Sequence, residues 1–249
     1  VYGKFEDPAT GEPLGLRPQK WRSVDERLAA ALAKEPDALP ERVAQLRAQI
    51  ERSSRTTVLG WDATFNVPKS VTVAHTALHR AEIAAQRSGN TVRAEELGTV
   101  RRGIETAVLD ANAAALSVLE SLAVARTGGG SGTAQQWIAA NQVTVASFFQ
   151  HTNREVDPHL HVHNVVLNRA ICADGKVRAL DAEDLLAQKF AFSAVADRAL
   201  FENLAQLGLD SVPRADGLGR ELAAVPGEAV EHFSTRRARI TAALAPLVE

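Results

Sequence analysis

Apolar positions Val100, Ile104, Val108, Ala111, Ala115, Val118 and Leu122 recur every three or four residues. That period matches one stripe of an α-helix, so a long helix is predicted over 91–126. A second helix is predicted over 69–87, just after Pro68. Residues 24–52, rich in Ala, Leu, Glu and Arg, predict two helices broken near Pro36 and Pro40. Strand-like runs occupy 56–65, 135–140, 142–151 and 160–172. The polar stretch 152–158 ends in Asp157-Pro158 and reads as the loop of an antiparallel hairpin. Asp174-Gly175 turns the chain into a short strand over 176–180, and Asp181 then reads as the N-cap of a helix running to about 207. Weak strand signals at 209–213 and 219–224 flank Asp216-Gly217, and a last helix starts near Pro226. Residues 1–20, rich in Gly, Pro and charge, read as a turn-rich arm. Hairpins set among long helices predict an α+β fold: a central antiparallel sheet flanked by long helices, with a helical C-terminal region. The expected organisation is an arm and helices over 1–55 and a core over 56–249, together one compact domain.

Composition narrows the class. The 249 residues carry 28 Lys and Arg against 30 Asp and Glu, a net charge of −2. Such a balance does not announce a nucleic-acid binder, so the placement of cations matters more than their number. Clusters occur at Arg101-Arg102, at Arg169 with Lys176 and Arg178, and at Arg236, Arg237 and Arg239. No apolar run is long enough to span a membrane and no leader pattern is present, which predicts a cytoplasmic protein without membrane insertion. A lone cysteine, Cys172, fits a reducing compartment. Val1 stands where a methionine would start a chain, which predicts a fragment whose true start lies upstream. The one tyrosine is Tyr2. The glycine-rich stretch 127–132 lacks the Gly-Lys-Ser/Thr ending of a phosphate loop and reads as a connector.

Four of the seven histidines fall between 151 and 163. His159, His161 and His163 are spaced i, i+2, i+4, so on a strand they project to one face. His151, in the preceding strand, is expected across from them on the same face, register permitting. A row of neutral imidazoles with open coordination positions suits a catalytic divalent ion beside a phosphate. Asp62, set in an apolar strand run, is costly there unless paired. A carboxylate in that position orients a ligating histidine or accepts a proton.

Two blocks resemble a known family. Gly60-Trp-Asp-Ala-Thr-Phe-Asn-Val-Pro-Lys-Ser70 and Phe149-Gln-His-Thr-Asn-Arg154, with Asp157-Pro-His-Leu-His-Val-His-Asn164, are similar to the signature blocks of conjugative relaxases of the histidine-hydrophobic-histidine type, relaxase–helicase branch. The resemblance implies binding of single-stranded DNA at a plasmid transfer origin. It further implies metal-assisted nicking through a 5′-phosphotyrosine, with transfer-apparatus proteins as partners and a monomeric enzyme. By position it makes His151, His161 and His163 the metal ligands and Asp62 the acid that positions a histidine or takes the tyrosine proton. The ion implied is Mg²⁺ or Mn²⁺, with Zn²⁺ or Ni²⁺ as alternatives. Lys69, Arg154, Arg178 and the Arg236–Arg239 cluster are expected on DNA phosphates, with Trp137 stacking on bases. Departures are visible too. The family's first histidine stands four residues before the arginine, whereas His151 stands three before Arg154. His159 takes a place often held by Gln or Glu, and Asn153 replaces a serine. Tyr2 is the one candidate nucleophile in the chain and does not match the family position, which points to a tyrosine upstream. Two competing functions remain at this stage: a non-catalytic metal- and DNA-binding module of the same fold, and a trihistidine metal hydrolase. The latter needs a repeated βα pattern that is absent here.

Overall fold

The computed structural model describes residues 11, 22–53, 58–127, 134 and 136–244. Tyr2 lies outside the described residues. The chain divides into two units, Val1–Gly60 and Trp61–Glu249. In the first, α1 (Val24–Leu32) opens on a capping box in which Ser23 and Glu26 satisfy each other's backbone N–H groups. Proline begins α2 (Pro40–Arg52), where a missing N–H costs nothing. The two helices bury Leu28, Leu46 and Ile50.

The second unit is a sheet with helices laid on it. Its elements are β1 (Gly60–Asn66), α3 (Lys69–Arg87), α4 (Thr91–Leu122), β2 (Val124–Thr127), β3 (Gln136–Thr152), β4 (Pro158–Cys172), β5 (Val177–Arg178), α5 (Ala182–Ala187) and α6 (Lys189–Gln206). Strand order is β1-β4-β3-β2, with β5 also on β4. The long β3–β4 hairpin is antiparallel. Leu160 and Val162 of β4 pack with Val71 of α3, Ile104 and Val108 of α4, and Leu200 and Leu204 of α6. On the same face Asn164 exchanges two hydrogen bonds with Asn112 of α4, at 3.0 and 2.7 Å, and donates to the Ala63 carbonyl. This buried amide pair locks the alternation of β4: even positions face the helices, and His159, His161 and His163 face away from them. Among the described residues no helix is long and apolar enough to cross a membrane.

Several expected elements differ in extent. The helix expected over 91–126 ends at Leu122, because Ala123 turns extended and Val124–Thr127 pairs with β3. Cross-strand pairing wins there over a helical pattern already weakened by β-branched Val124 and Thr127. The two runs at 135–140 and 142–151 form one strand, with the irregularity at Asn141 absorbed as a register shift. Asp181 caps α5 as expected, its carboxylate accepting from the Glu183 N–H, but the helix breaks at Gln188 before α6. Strand 176–180 shrinks to β5, and Leu180 makes only a bridge to Ala125. Beyond α6, β6 (Ser211–Pro213) and β7 (Arg220–Leu222) pair across the Asp216-Gly217 turn, with Gly217 at φ 69°. The last helix is two pieces, α7 (Gly227–His232) and α8 (Thr235–Leu244).

Candidate metal centre

β4 supplies the centre of the site. The Nε2 atoms of His161 and His163 lie 3.2 Å apart. Their other ring nitrogens are committed: Nδ1 of His163 is 2.7 Å from Asp62 Oδ2, and Nδ1 of His161 is 2.9 Å from the His159 carbonyl oxygen. A carboxylate and a carbonyl can only accept, so both rings carry their proton on Nδ1. Both Nε2 atoms then present lone pairs to each other. Two lone pairs at that distance repel unless a positive charge sits with them, a proton or a metal ion. His161 is almost entirely buried and His163 about one-third exposed at its side chain (32%), so the pair is reachable from one side.

β1 backs this arrangement with alternate side chains. Asp62 holds His163, Thr64 Oγ1 lies 3.3 Å from both Asp62 Oδ1 and His163 Nδ1, and Asn66 Oδ1 is 2.9 Å from His159 Nε2. His159 stacks on His161 with ring centroids 4.8 Å apart. Burial, then the neighbouring His161 and Lys69, pulls the His159 imidazole down to about 4, so it is neutral at neutral pH. Its Nε2–H donates to Asn66, which makes it a wall of the site.

His151 is the residue the structure places elsewhere. In the hairpin Gln150 pairs with His161 and Phe148 with His163, so these four share a face. His151, one residue on, points to the helix side, its ring 4.6 Å from Phe149 and 5.6 Å from His75. The expectation of one face for His151 with His161 and His163 therefore does not hold. The cause is the register shift between Gln150 and Thr152, where β4 spends two residues, His159 and Leu160, against one on β3. Gln150 stands four residues before Arg154, the spacing of the family's first histidine, and it escaped notice because an amide carries no metal signature in a sequence.

The expected DNA contacts are unevenly available. Arg154 is exposed in the hairpin loop. Lys69 is half-buried, its ammonium donating to the Pro158 carbonyl at 2.7 Å, and burial lowers its pKa against the pull of Asp157. Arg178 forms a two-pronged pair with Asp174 at 2.6 and 2.7 Å. Arg239 pairs with Glu155, while Arg236 is exposed. Trp137 is exposed, but its indole N–H donates to Asp181 and Arg126 lies 5.9 Å over its ring. Phe148, a residue the sequence pattern hid as strand core, is 48% exposed on the face of His163.

Comparison with known proteins finds the same overall fold. A structure of the conjugative relaxase TrwC in complex with oriT DNA aligns with a TM-score of 0.62 at 27% identity, covering 78% of this chain and 59% of that one. A metal-bound complex of TrwC with oriT DNA aligns with a TM-score of 0.61, again at 27% identity, over 78% of this chain and 60% of that one. This chain thus spans less than two thirds of the TrwC chains it matches. No curated protein matches it. The family model described as TrwC relaxase matches residues 3–248, and the chain belongs to that family.

Proposed function

We propose that the chain binds single-stranded DNA at a plasmid transfer origin and, with a tyrosine upstream of it, nicks it by metal-assisted transesterification. The observation that carries this reading is the pair of converging Nε2 lone pairs on His161 and His163, held by acceptors behind them. His161 and His163 would hold the ion, with the Gln150 amide oxygen offering a third donor on the same face. Two imidazoles and an oxygen suit Mn²⁺ or a later transition ion better than Mg²⁺, which prefers an all-oxygen shell. Such an ion, when bound, neutralises charge on a non-bridging phosphate oxygen.

The residues of the chain do the rest. In the step itself a tyrosine oxygen bonds to phosphorus, the P–O3′ bond breaks, the phenolic proton leaves to a base and the 3′ oxygen takes up a proton. A free tyrosine has a pKa of about 10, so the proton needs a nearby acceptor. The hydrogen bond from His163 to Asp62 supports the orienting role for Asp62, because it keeps that histidine's Nε2 turned into the site. Phe148 offers an exposed ring beside the ligand pair on which a base can stack, a better placed platform than Trp137. Arg154 and Arg236 supply exposed charge for phosphates. In the cell the protein would act in the cytoplasm as a monomer, beside the proteins of the transfer apparatus.

The test is a covalent adduct. The full-length protein is incubated with Mn²⁺ and single-stranded DNA carrying its transfer origin, then run on a denaturing gel. A protein–DNA band that disappears on chelation and in the His161→Ala/His163→Ala variant is the expected result. If Tyr2→Phe also abolishes it, Tyr2 is the nucleophile. Tight, metal-dependent DNA binding without any adduct overturns the catalytic reading and leaves a non-catalytic binding module.

A further inference from the structure

On the opposite face of the sheet a second group of ligand-type side chains converges. His75 comes from α3, Glu105 from α4 and His151 from the end of β3. Glu105 Oε1 is 2.8 Å from His75 Nε2 and 3.5 Å from His151 Nε2, and the three ligand atoms all lie within 4.8 Å of one another. We propose that His75, Glu105 and His151 form a second metal site, one that takes a zinc-class divalent ion and pins the end of β3 to α3 and α4.

A buried histidine paired with one glutamate is an ordinary core arrangement and would need no ion. What this group adds is a second imidazole aimed at the same carboxylate oxygen from a different element. Two imidazole nitrogens and one carboxylate oxygen are a donor set that zinc accepts, with water completing a tetrahedral shell. With bonds of about 2.1 Å, tetrahedral ligand atoms sit about 3.4 Å apart, so closure requires rotamer adjustments rather than backbone movement. Arg101 is shared between Glu105 at 2.8 Å and the largely buried Glu82 at 2.7 Å. Arg101 donates to Glu105 Oε1, the oxygen that both imidazoles also face, and so fixes the position of that carboxylate. In the arrangement seen, the His75 Nε2–H donates to Glu105, and binding an ion moves that ring proton to Nδ1. His151 is about half exposed at its side chain (49%), which provides the way in.

This site is separate from the one on the far face, so the experiment removes that one first. The metal-free His161→Ala/His163→Ala protein is titrated with Zn²⁺ by calorimetry and with Co²⁺ by visible absorption. One equivalent of Zn²⁺ should bind, and Co²⁺ should show the intense visible bands of a four-coordinate ion. Adding His151→Ala or Glu105→Gln should weaken binding by about tenfold or more. His151 is exposed, so its variant keeps the fold, which circular dichroism checks, whereas His75 is buried and is left intact. No binding in the His161→Ala/His163→Ala background, or binding unchanged when His151→Ala is added, overturns the second site. Loss of an equivalent between the native protein and the starting variant reports on the far-face site alone, so the two readings fail separately.

Discussion

At the scale of single residues, the site depends on where two ring protons sit. Asp62 fixes one of them, and its carboxylate is half exposed, so removing its charge should not unfold the strand. Asp62→Asn leaves a side chain that can present N–H as well as oxygen to Nδ1 of His163, and the tautomer is then no longer enforced. Metal affinity or nicking should fall by about 10- to 100-fold with melting temperature unchanged; calorimetry with Mn²⁺ and a gel nicking assay read the two. A wild-type affinity in this variant would mean that Asp62 does not orient His163. A second single-residue feature lies in the loop joining β3 to β4. Val156 has φ 64° although it is β-branched, and it is exposed, so no packing repays the strain. Asn153 holds the loop closed by accepting from the N–H groups of Glu155 and Asp157 at 2.9 and 3.0 Å. Asparagine tolerates the left-handed region, so Val156→Asn should stabilise the protein by about 1 kcal/mol. A urea melt checks this, and a loss of stability would show that the valine side chain is held by something other than its loop.

At the scale of elements, the β3–β4 hairpin shows both what the sequence makes legible and where it stops. Alternation in 160–172 is enough to put His159, His161 and His163 on one face, because a strand's period of two allows no other outcome. The spacing of apolar positions likewise locates α3 and the body of α4. The phase of β3 against β4 is a different matter, since it is set by a one-residue irregularity beside the hairpin loop, and a one-residue slip reverses every side chain. Nothing local in Gln150-His151-Thr152 reveals which of the first two faces the site. β2 was hidden for a similar reason: its pattern continues that of α4, and only the partner strand selects the extended form. The same junction carries a charge device. Asp181 caps α5, is nearly buried, and accepts from Arg126 at 2.5 Å and from the Trp137 indole at 2.9 Å. The hydrogen bond from Arg126, against the opposing effect of burial and with further help from Trp137, holds its carboxyl below the ordinary range. A group with a lowered folded pKa adds stability above its unfolded value, about 3.9, and loses it as pH falls through the folded value. Asp181→Asn should therefore lower the melting temperature at pH 7, and the gap from wild type should shrink as the pH falls below about 4. A gap that stays constant down that range would exclude the ion pair as its source.

At the scale of the whole molecule, a net charge of −2 is at odds with a polyanionic partner. Affinity for the proposed DNA partner must then come from local charge, and several of the cations that a sequence would assign to phosphates are already engaged. Arg178 is held by Asp174, Arg239 by Glu155, and the Lys69 ammonium by a backbone carbonyl. Among the described residues of that set, the exposed Arg154 and Arg236, together with a bound ion, can offer charge to a phosphate chain in the proposed groove. Release of counterions from single-stranded DNA lowers log K by about 0.7 per phosphate neutralised for each tenfold rise in salt. Two or three such contacts predict a slope of about −2 when log K is plotted against log salt concentration, shallow for a nucleic-acid binder. Arg154→Ala and Arg236→Ala should each flatten it by about 0.7, whereas Phe148→Ala should weaken binding at every salt concentration by about 1–3 kcal/mol and leave the slope alone. Fluorescence anisotropy on a labelled single strand over a range of salt concentrations separates the two effects. A steep slope that neither arginine variant changes would mean that the DNA runs over a different surface, and that the face bearing His161, His163 and Phe148 does not receive the strand.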